Sequence, residues 1–166
     1  MKRVYLIRHA KSSWKDMSLD DFDRPLNKRG KANAPMMGER LSVKGVKPDL
    51  IISSPAKRAK MTAEVLAEKV TYEKEILFDD DIYDAFIEDL EDILRAVSDS
   101  NRCIFLIGHN PELNDLVQHY VHFDENLPTC GIVEIEFDCE AWRDISMRNA
   151  KLISFDYPKK NIETEV

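Results

Sequence analysis

Three short, continuous apolar segments constrain the fold of this chain more than any other feature of its sequence. They span residues 4–7, 50–52 and 103–107, and each is shorter than an ordinary buried helix. An apolar run of this length, without polar residues at alternate positions, is typical of a strand that is buried on both faces. Longer amphipathic segments lie between these runs, so the sequence predicts strands that alternate with helices.

The amphipathic segments have the spacing of helices, with apolar residues three or four positions apart on one side. Two of them have a start signal, because a Ser-Pro pair and an Asn-Pro pair each combine an N-cap residue with a proline at the first helical position. Pro35 falls inside the first helix, where it predicts either a kink or a different boundary. The four predicted helices run from about residue 27 to 43, 54 to 70, 86 to 97 and 110 to 121.

Weaker strand segments follow at residues 76–78, 132–137 and 152–155. Strands that alternate with helices favour an α/β fold, a three-layer α/β/α sandwich around a mostly parallel sheet. The right-handed crossover rule then places the carboxyl ends of the parallel strands on one side. Since 166 residues suit one ordinary domain and no repeat or linker is found, we predict a single domain at 1–158 and a polar tail at 159–166.

The composition argues against several classes of protein. Apolar residues make up 43% of the chain and charged residues 33%, as in a soluble globular domain. A net charge of −7 disfavours a nucleic-acid partner, since such proteins usually carry a basic surface. No signal-peptide pattern and no apolar stretch of about 20 residues occur, so we expect no membrane partner. Three cysteines without CxxC spacing favour reduced thiols, and we predict a cytoplasmic location.

The three strongest strands are followed by residues that bind anions. Arg8 and His9 follow the first strand, and His109 follows the third. The second strand leads into a helix that has Arg58 in its first turn. Because ligands of open α/β sheets lie beyond the carboxyl ends of the strands, we expect these four side chains to converge. Two arginines and two histidines at one edge predict a pocket for a compact dianion such as phosphate.

Other residues suggest alternatives that the sequence favours less. His119 and His122 lie three positions apart and could bind a metal, but no third ligand with a matching motif is present. The aspartates at residues 79–81 could bind magnesium, although a solvated turn is the favoured interpretation. Trp14 and Trp142 are interpreted as packing residues. There is no glycine-rich phosphate loop and no GxSxG motif, and we predict neither a metal nor another cofactor.

Four segments resemble the motifs of the histidine phosphatase superfamily, which is also called phosphoglycerate mutase-like. They are similar, in order, to its RHG, PLTxxG, SSPxxRAxxTA and second-histidine motifs. The resemblance covers about residues 3–121, and the RHAKSSW and GHNP segments are most similar to the SixA-type phosphohistidine phosphatases. Ala10 stands where the family has glycine, and Asn27 where it has threonine. The segments are Leu6–Ala10, Arg24–Gly30, Ser53–Ala63 and Gly108–Pro111.

The resemblance implies a two-step mechanism at His9. This residue would attack phosphorus and carry a covalent phosphoryl group, which water then releases. Attack requires a neutral His9 with a fixed tautomer, and a backbone carbonyl that holds the other ring N–H would provide it. The phosphoryl oxygens would be bound by cationic or donor side chains. These are Arg8, Arg58 and His109, with Arg24 and Lys11 at the rim.

A general acid for the leaving group is not part of these motifs. Family members that act on alkyl phosphates use a carboxylate on the loop between the SSPxxRAxxTA motif and the second-histidine motif. Asp84 is the candidate here and Glu88 the reserve, although a solvated loop carboxylate explains either residue as well.

The favoured function is a metal-independent phosphatase for phosphohistidine in proteins. A small-molecule phosphomonoesterase or mutase and an inactive phospho-binding module are the alternatives. The predicted partner is therefore a phosphorylated protein or a small phosphorylated substrate, and the oligomeric state is not predicted.

Overall fold

A six-stranded sheet forms the centre of the computed structural model, which describes residues 1–160. Residues 161–166 of the predicted polar tail lie outside this described part. The strands are β1 (Lys2–Arg8), β2 (Leu50–Ser53), β3 (Leu77–Phe78), β4 (Cys103–Gly108), β5 (Ile132–Phe137) and β6 (Ala150–Asp156).

The sheet order β3-β2-β4-β1-β5-β6 places the three strongest strands side by side at its centre. The first four strands in this order are parallel, whereas β5 is antiparallel to both β1 and β6. In register, Arg8 lies opposite Gly108, and Ser53 lies opposite Ile107. The prediction of a mostly parallel sheet is confirmed, and the segments that follow β1, β2 and β4 start at the same edge.

Four helices form the outer layers, and alternate residues of β1 pack against different pairs of them. Tyr5 and Ile7 belong to the core beneath the first two helices, while Val4 and Leu6 belong to the core beneath the other two. This arrangement confirms the three-layer α/β/α sandwich. No helix within residues 1–160 combines the length and the apolar character needed to cross a membrane. The helices are α1 (Lys28–Val43), α2 (Lys57–Lys69), α3 (Ile87–Arg95) and α4 (Glu112–Tyr120).

Helix α1 begins where the sequence predicts and continues through Pro35. The Asn27 side chain caps it by accepting a hydrogen bond of 2.8 Å from the backbone N–H of Gly30. A Cβ at residue 30 would overlap the carbonyl oxygen of Lys11, so glycine is required for this close approach. The first turn of α1 therefore lies directly against the segment that follows β1.

The starts predicted for α2 and α4 are wrong by about two residues. Ser54 and Asn110 still accept capping hydrogen bonds, but from backbone N–H groups in the loop and the first helical turn, at 3.2 Å in both cases. Ala56 has an extended backbone with φ −54° and ψ 137°, which keeps the Ser-Pro pair outside the helix. The Ser54 hydroxyl is consequently free to contact residues at the carboxyl edge.

Candidate active site

One cavity of about 560 Å³ at the carboxyl edge of the sheet is lined by Arg8, His9, Arg58 and His109. The structure therefore brings together the four residues whose convergence the sequence predicts. The two predicted rim residues also contribute to the lining, whereas Asp84 does not. The remaining lining residues are Lys11, Ser12, Trp14, Arg24, Asn110, Pro128 and Thr129.

The backbone around His9 is fixed by three neighbouring elements. The His9 N–H donates to the carbonyl oxygen of Gly108 at 3.0 Å, which continues the pairing of β1 with β4. The His9 carbonyl oxygen accepts from the N–H of Cys130 at 3.0 Å. On the other side, the N–H of Ala10 donates to Thr62 Oγ1 at 3.0 Å, and Thr62 in turn donates to a carbonyl within α2. The backbone that carries the imidazole is therefore held by β4, by the segment before β5 and by α2.

The tautomer of His9 follows from a single hydrogen bond. His9 Nδ1 lies 2.7 Å from the carbonyl oxygen of Ala10. A carbonyl oxygen can only accept, so the hydrogen of a neutral ring lies on Nδ1. The lone pair of Nε2 is then available for attack on an electrophile.

Burial keeps this imidazole neutral. Desolvation is the main cause that lowers the pKa of His9 to about 3, and the charges of Arg58 and Arg8, with that of His109 when it is protonated, lower it further. The hydrogen bond to the Ala10 carbonyl opposes this shift. His9 is therefore uncharged and nucleophilic throughout the physiological pH range.

The low pKa of His9 predicts a pH dependence of stability. Above pH 6.5 both folded and unfolded chains hold residue 9 neutral, but between 6.5 and about 3 only the unfolded chain takes up the proton. The free energy of unfolding therefore falls as the pH falls. We expect His9→Gln to remove about 1 kcal/mol per pH unit from this slope between pH 6 and 5, as measured by urea unfolding. His122→Gln is the matched control, because its side chain is 88% exposed, and an equal effect of both changes would contradict this assignment.

The His109 ring is oriented by a hydrogen bond with Ser54. His109 Nε2 lies 2.7 Å from Ser54 Oγ, which already accepts the N–H of Ala56. Nε2 is the one acceptor that Ser54 Oγ contacts within residues 1–160, so the hydroxyl hydrogen is assigned to Nε2 and the ring hydrogen of neutral His109 to Nδ1. Burial is the main cause that lowers the pKa of His109 to about 4, and the charge of Arg58 adds to it. A neutral His109 can donate one hydrogen bond through Nδ1.

Three side-chain nitrogens in the cavity-lining residues are buried without a hydrogen-bond partner. They are Arg8 Nε, Arg58 Nε and His109 Nδ1, and they are the only buried, unpartnered side-chain polar atoms within residues 1–160. A buried donor without a partner costs about 1–3 kcal/mol, and more when it is charged. Such groups are rare in folded proteins. All three belong to residues that line the cavity, and the concentration of arginine and histidine side chains there indicates a binding site for an anion with several oxygens.

Asp21 is a part of this site that sequence reasoning missed. Its carboxylate accepts hydrogen bonds from Tyr83 Oη at 2.7 Å, from Arg24 Nε at 3.1 Å and from Arg58 Nη2 at 3.0 Å. The hydrogen bond from Tyr83 is the largest cause that lowers the pKa of this carboxyl, and the hydrogen bonds from the two arginines lower it further. Asp21 thereby fixes both guanidinium groups and leaves Nε of Arg58 unpaired.

The proposed general acids lie outside the cavity lining. Asp84 and Glu88 are exposed, and Asp84 has a left-handed backbone with φ +59°. The ring that contacts His109 in this loop belongs to Tyr83 instead, at 5.6 Å between ring centres. Within residues 1–160 no carboxylate lines the cavity. A role for Asp84 as general acid stays a prediction.

The interpretation of Trp14 as a packing residue is wrong, whereas Trp142 is fully buried. The Trp14 side chain is 68% exposed and lies with its ring 3.5 Å from the guanidinium carbon of Arg24. The Trp14 ring thus covers the guanidinium of Arg24, a residue that is itself buried, through a cation–π contact.

The two histidines considered as metal ligands contact different carboxylates. His119 Nε2 lies 3.1 Å from Glu91, and His122 Nε2 lies 3.0 Å from Asp124. In the described part of the chain, no group of three or more His, Cys, Asp or Glu residues has the arrangement of a metal site.

Comparison with solved structures gives the same fold throughout. The putative phosphohistidine phosphatase SixA from Agrobacterium tumefaciens superposes with a TM-score of 0.82 at 28% identity, covering 95% of this chain and 98% of that chain. The protein histidine phosphatase SixA complexed with tungstate gives a TM-score of 0.81 at 19% identity, covering 94% and 97% of the two chains. The SixA-like form of the fold is therefore confirmed.

Sequence comparison extends this similarity. An uncharacterised chloroplastic protein of Arabidopsis thaliana is 31% identical over 152 residues, which cover 86% of this chain and 70% of that protein. The family model of the histidine phosphatase superfamily, branch 1, matches residues 4–105, which include the motifs at Arg8, His9 and Arg58. With the converging arginines and histidines, this match shows that the chain belongs to the histidine phosphatase superfamily.

Proposed function

We propose that this protein hydrolyses phosphohistidine in proteins, without a metal, through a phosphoryl intermediate on His9. One observation carries this choice of substrate: the described lining of the cavity contains several cations and no carboxylate. The name of the SixA neighbour from Agrobacterium tumefaciens, a putative phosphohistidine phosphatase, supports the same choice. A cytoplasmic location stays a prediction.

The first step is an in-line displacement at phosphorus. The phosphoryl oxygens are bound by Arg8, Arg58 and His109, the cationic and donor side chains that line the cavity beside His9. His9 Nε2 uses its lone pair to form a new P–N bond, while the P–N bond of the substrate breaks. The electron pair of that bond goes to the ring nitrogen of the leaving histidine, which water protonates.

The second step is hydrolysis of the phosphorylated His9. Water attacks phosphorus, the bond to Nε2 breaks, and inorganic phosphate leaves with His9 again neutral. The arginines bind the equatorial oxygens in both steps and supply the positive charge that a metal ion would supply elsewhere. Asp21 keeps Arg24 and Arg58 in place throughout.

The type of leaving group that this site can expel depends on whether an acid is present, and no carboxylate is part of the described cavity lining. An alkoxide leaves slowly unless a positioned acid protonates it, and such an acid contributes roughly 100- to 10,000-fold in rate. The ring nitrogen of phosphohistidine is basic and accepts a proton from solvent. The Asp21 carboxylate beside the cavity accepts hydrogen bonds from Tyr83, Arg24 and Arg58, which lower its pKa, so it does not serve as an acid. The site therefore cleaves P–N bonds well and alkyl phosphates poorly.

A substrate panel tests this proposal. In the presence of EDTA, we expect kcat/KM for a phosphohistidine peptide and for phosphoramidate to exceed that for glycerol phosphate by at least about 100-fold. Asp84→Asn should leave phosphohistidine hydrolysis within about twofold of wild type, because this residue lies outside the cavity lining. Glu88→Gln serves as its control. Sugar phosphates as the better substrates, together with a large loss in Asp84→Asn, would make the protein a small-molecule phosphatase instead.

A further inference from the structure

We propose that a basic cleft beside the catalytic cavity binds acidic residues that flank the phosphorylated residue of a protein substrate. This inference rests on the proposed function and extends it to substrate selection. The cleft has a volume of about 690 Å³. It is lined by Lys11, Ser12, Ser13, Trp14, Lys15, Pro25, Leu26, Asn27, Lys28 and Lys31.

The cleft lies next to the catalytic cavity. Lys11, Ser12 and Trp14 line both spaces. A substrate whose phosphoryl group lies next to His9 therefore has its neighbouring residues at the entrance of the cleft. Because an extended chain advances about 3.3 Å per residue, residues within three positions of the phosphorylated one reach into it.

The charge of the cleft is opposite to that of the whole protein. Four exposed lysines, at residues 11, 15, 28 and 31, line it, although the chain carries a net charge of −7. No carboxylate is part of its described lining, and none of these lysines forms an ion pair in the described part of the chain. Their positive charges are therefore available to a ligand, and complementary charges raise both the rate and the specificity of association.

The walls of the cleft are fixed by backbone hydrogen bonds. Ser12 and Leu26 form an antiparallel bridge, the N–H of Ser13 donates to Pro25 at 2.8 Å, and the N–H of Asn27 donates to Lys11 at 2.9 Å. These bonds hold the segment after β1 against the start of α1. The cleft is therefore formed before a substrate binds, which reduces the entropy lost on binding.

Trp14 forms an aromatic wall between the cleft and the cavity. The ring stacks on the guanidinium of Arg24. That guanidinium is fixed in turn, because it donates hydrogen bonds to Ser12 Oγ at 2.8 Å and to the carboxylate of Asp21. An exposed, supported tryptophan provides apolar contact area for a peptide backbone. Lysines around an aromatic wall fit an acidic peptide segment better than they fit an isolated inorganic ion.

Two phosphohistidine peptides of equal length test this inference on the full-length protein. One carries glutamate at three positions on each side of the phosphohistidine, and the other carries glutamine there. At low ionic strength we expect kcat/KM for the glutamate peptide to be roughly fivefold higher, mainly through KM, since several exposed ion pairs contribute modestly each. The difference should disappear at high salt, where exposed charges are screened.

The decisive variant is Lys28→Glu with Lys31→Glu. Both residues lie in the first turn of α1, where glutamate is compatible with the helix dipole, so the fold is expected to be retained. The double variant should lose or invert the peptide preference and keep phosphoramidate turnover unchanged. Lys47→Glu with Lys151→Glu is the matched control, since both lysines are exposed and lie near the amino ends of β2 and β6 at the opposite edge of the sheet.

The outcomes separate this inference from the proposed function. If phosphoramidate and both peptides are hydrolysed but the two peptides have equal kcat/KM, the cleft has no role in selection and only this inference fails. It also fails if the preference survives the change at Lys28 and Lys31. If wild type hydrolyses neither phosphoramidate nor the peptides, the proposed function itself fails.

Discussion

Replacing His9 by alanine is expected to abolish turnover and to leave the fold intact. The change removes Nε2, the atom that attacks the phosphorus of the substrate in the first step, so we expect kcat to fall at least about 10,000-fold. The backbone hydrogen bonds of residue 9 to Gly108 and Cys130 do not involve the side chain and remain. Steady-state hydrolysis of phosphoramidate measures the rate, and thermal unfolding measures the fold.

His119→Ala is the matched control for this variant. The side chain of His119 is 42% exposed and lies on α4 outside the cavity lining, so its loss should leave kcat within about twofold of wild type. Activity of His9→Ala near the wild-type level would show that another group attacks phosphorus. Equal losses in both variants would show that the assay responds to stability rather than to chemistry.

The second large effect is expected for Arg58→Ala. This arginine is bound to the carbonyl and the carboxylate of Asp21, at 2.7 and 3.0 Å, and these bonds hold its guanidinium as a preorganised group in the cavity lining. Loss of one such donor at a developing charge costs about 3 kcal/mol, which corresponds to about 100- to 1,000-fold in kcat/KM. Arg58→Lys should recover little of this loss, because an ammonium group cannot reproduce the planar fork of the guanidinium.

Arg40→Ala provides the structural comparison for Arg58. Arg40 is also largely buried and paired with a carboxylate, at 3.1 Å from Asp156, but it lies on α1 outside the cavity lining. Its removal should lower the unfolding temperature without lowering kcat/KM per folded molecule. Equal effects of the two changes on kcat/KM would contradict a direct role of Arg58 in binding the phosphoryl group.

The parts of the fold that the sequence predicts are those encoded by local apolar patterns. The runs before Arg8, after Pro48 and before His109 are buried strands because both of their faces contact helices. Once these strands are parallel neighbours, the residues that directly follow them lie at one edge of the sheet, whatever conformation the later parts of the loops adopt. This explains why residues about 50 and 100 positions apart could be placed in one site from sequence.

The parts that the sequence does not reveal depend on non-local contacts of loops. Asp21 lies in a polar loop, and nothing in its neighbourhood indicates that it binds Arg58, 37 positions further along. Trp14 is exposed because it stacks on Arg24, a contact that no periodic pattern encodes. The carbonyl of Leu127, which accepts from Arg8 Nη1 at 3.2 Å, comes from a loop without any of the motifs.

The helix starts show a limit of capping signals. The Ser-Pro pair before α2 has the right residue types for a cap and a first helical position. In the structure, Ser54 is instead placed where its hydroxyl reaches His109, and the helix begins only at Lys57. Ser54 therefore orients His109 and does not serve as the N-cap of α2, which is the role that its residue type predicts.

Trapping the covalent intermediate tests the central claim most directly. Wild-type protein mixed with phosphorylated substrate is quenched in alkali within milliseconds, digested and examined by mass spectrometry and ³¹P NMR. We predict an acid-labile phosphoryl group on His9, attached at Nε2 because Nδ1 is held by the carbonyl oxygen of Ala10. Turnover without a phosphorylated protein at any time, or a phosphoryl group on His109 or another residue instead, would contradict the account.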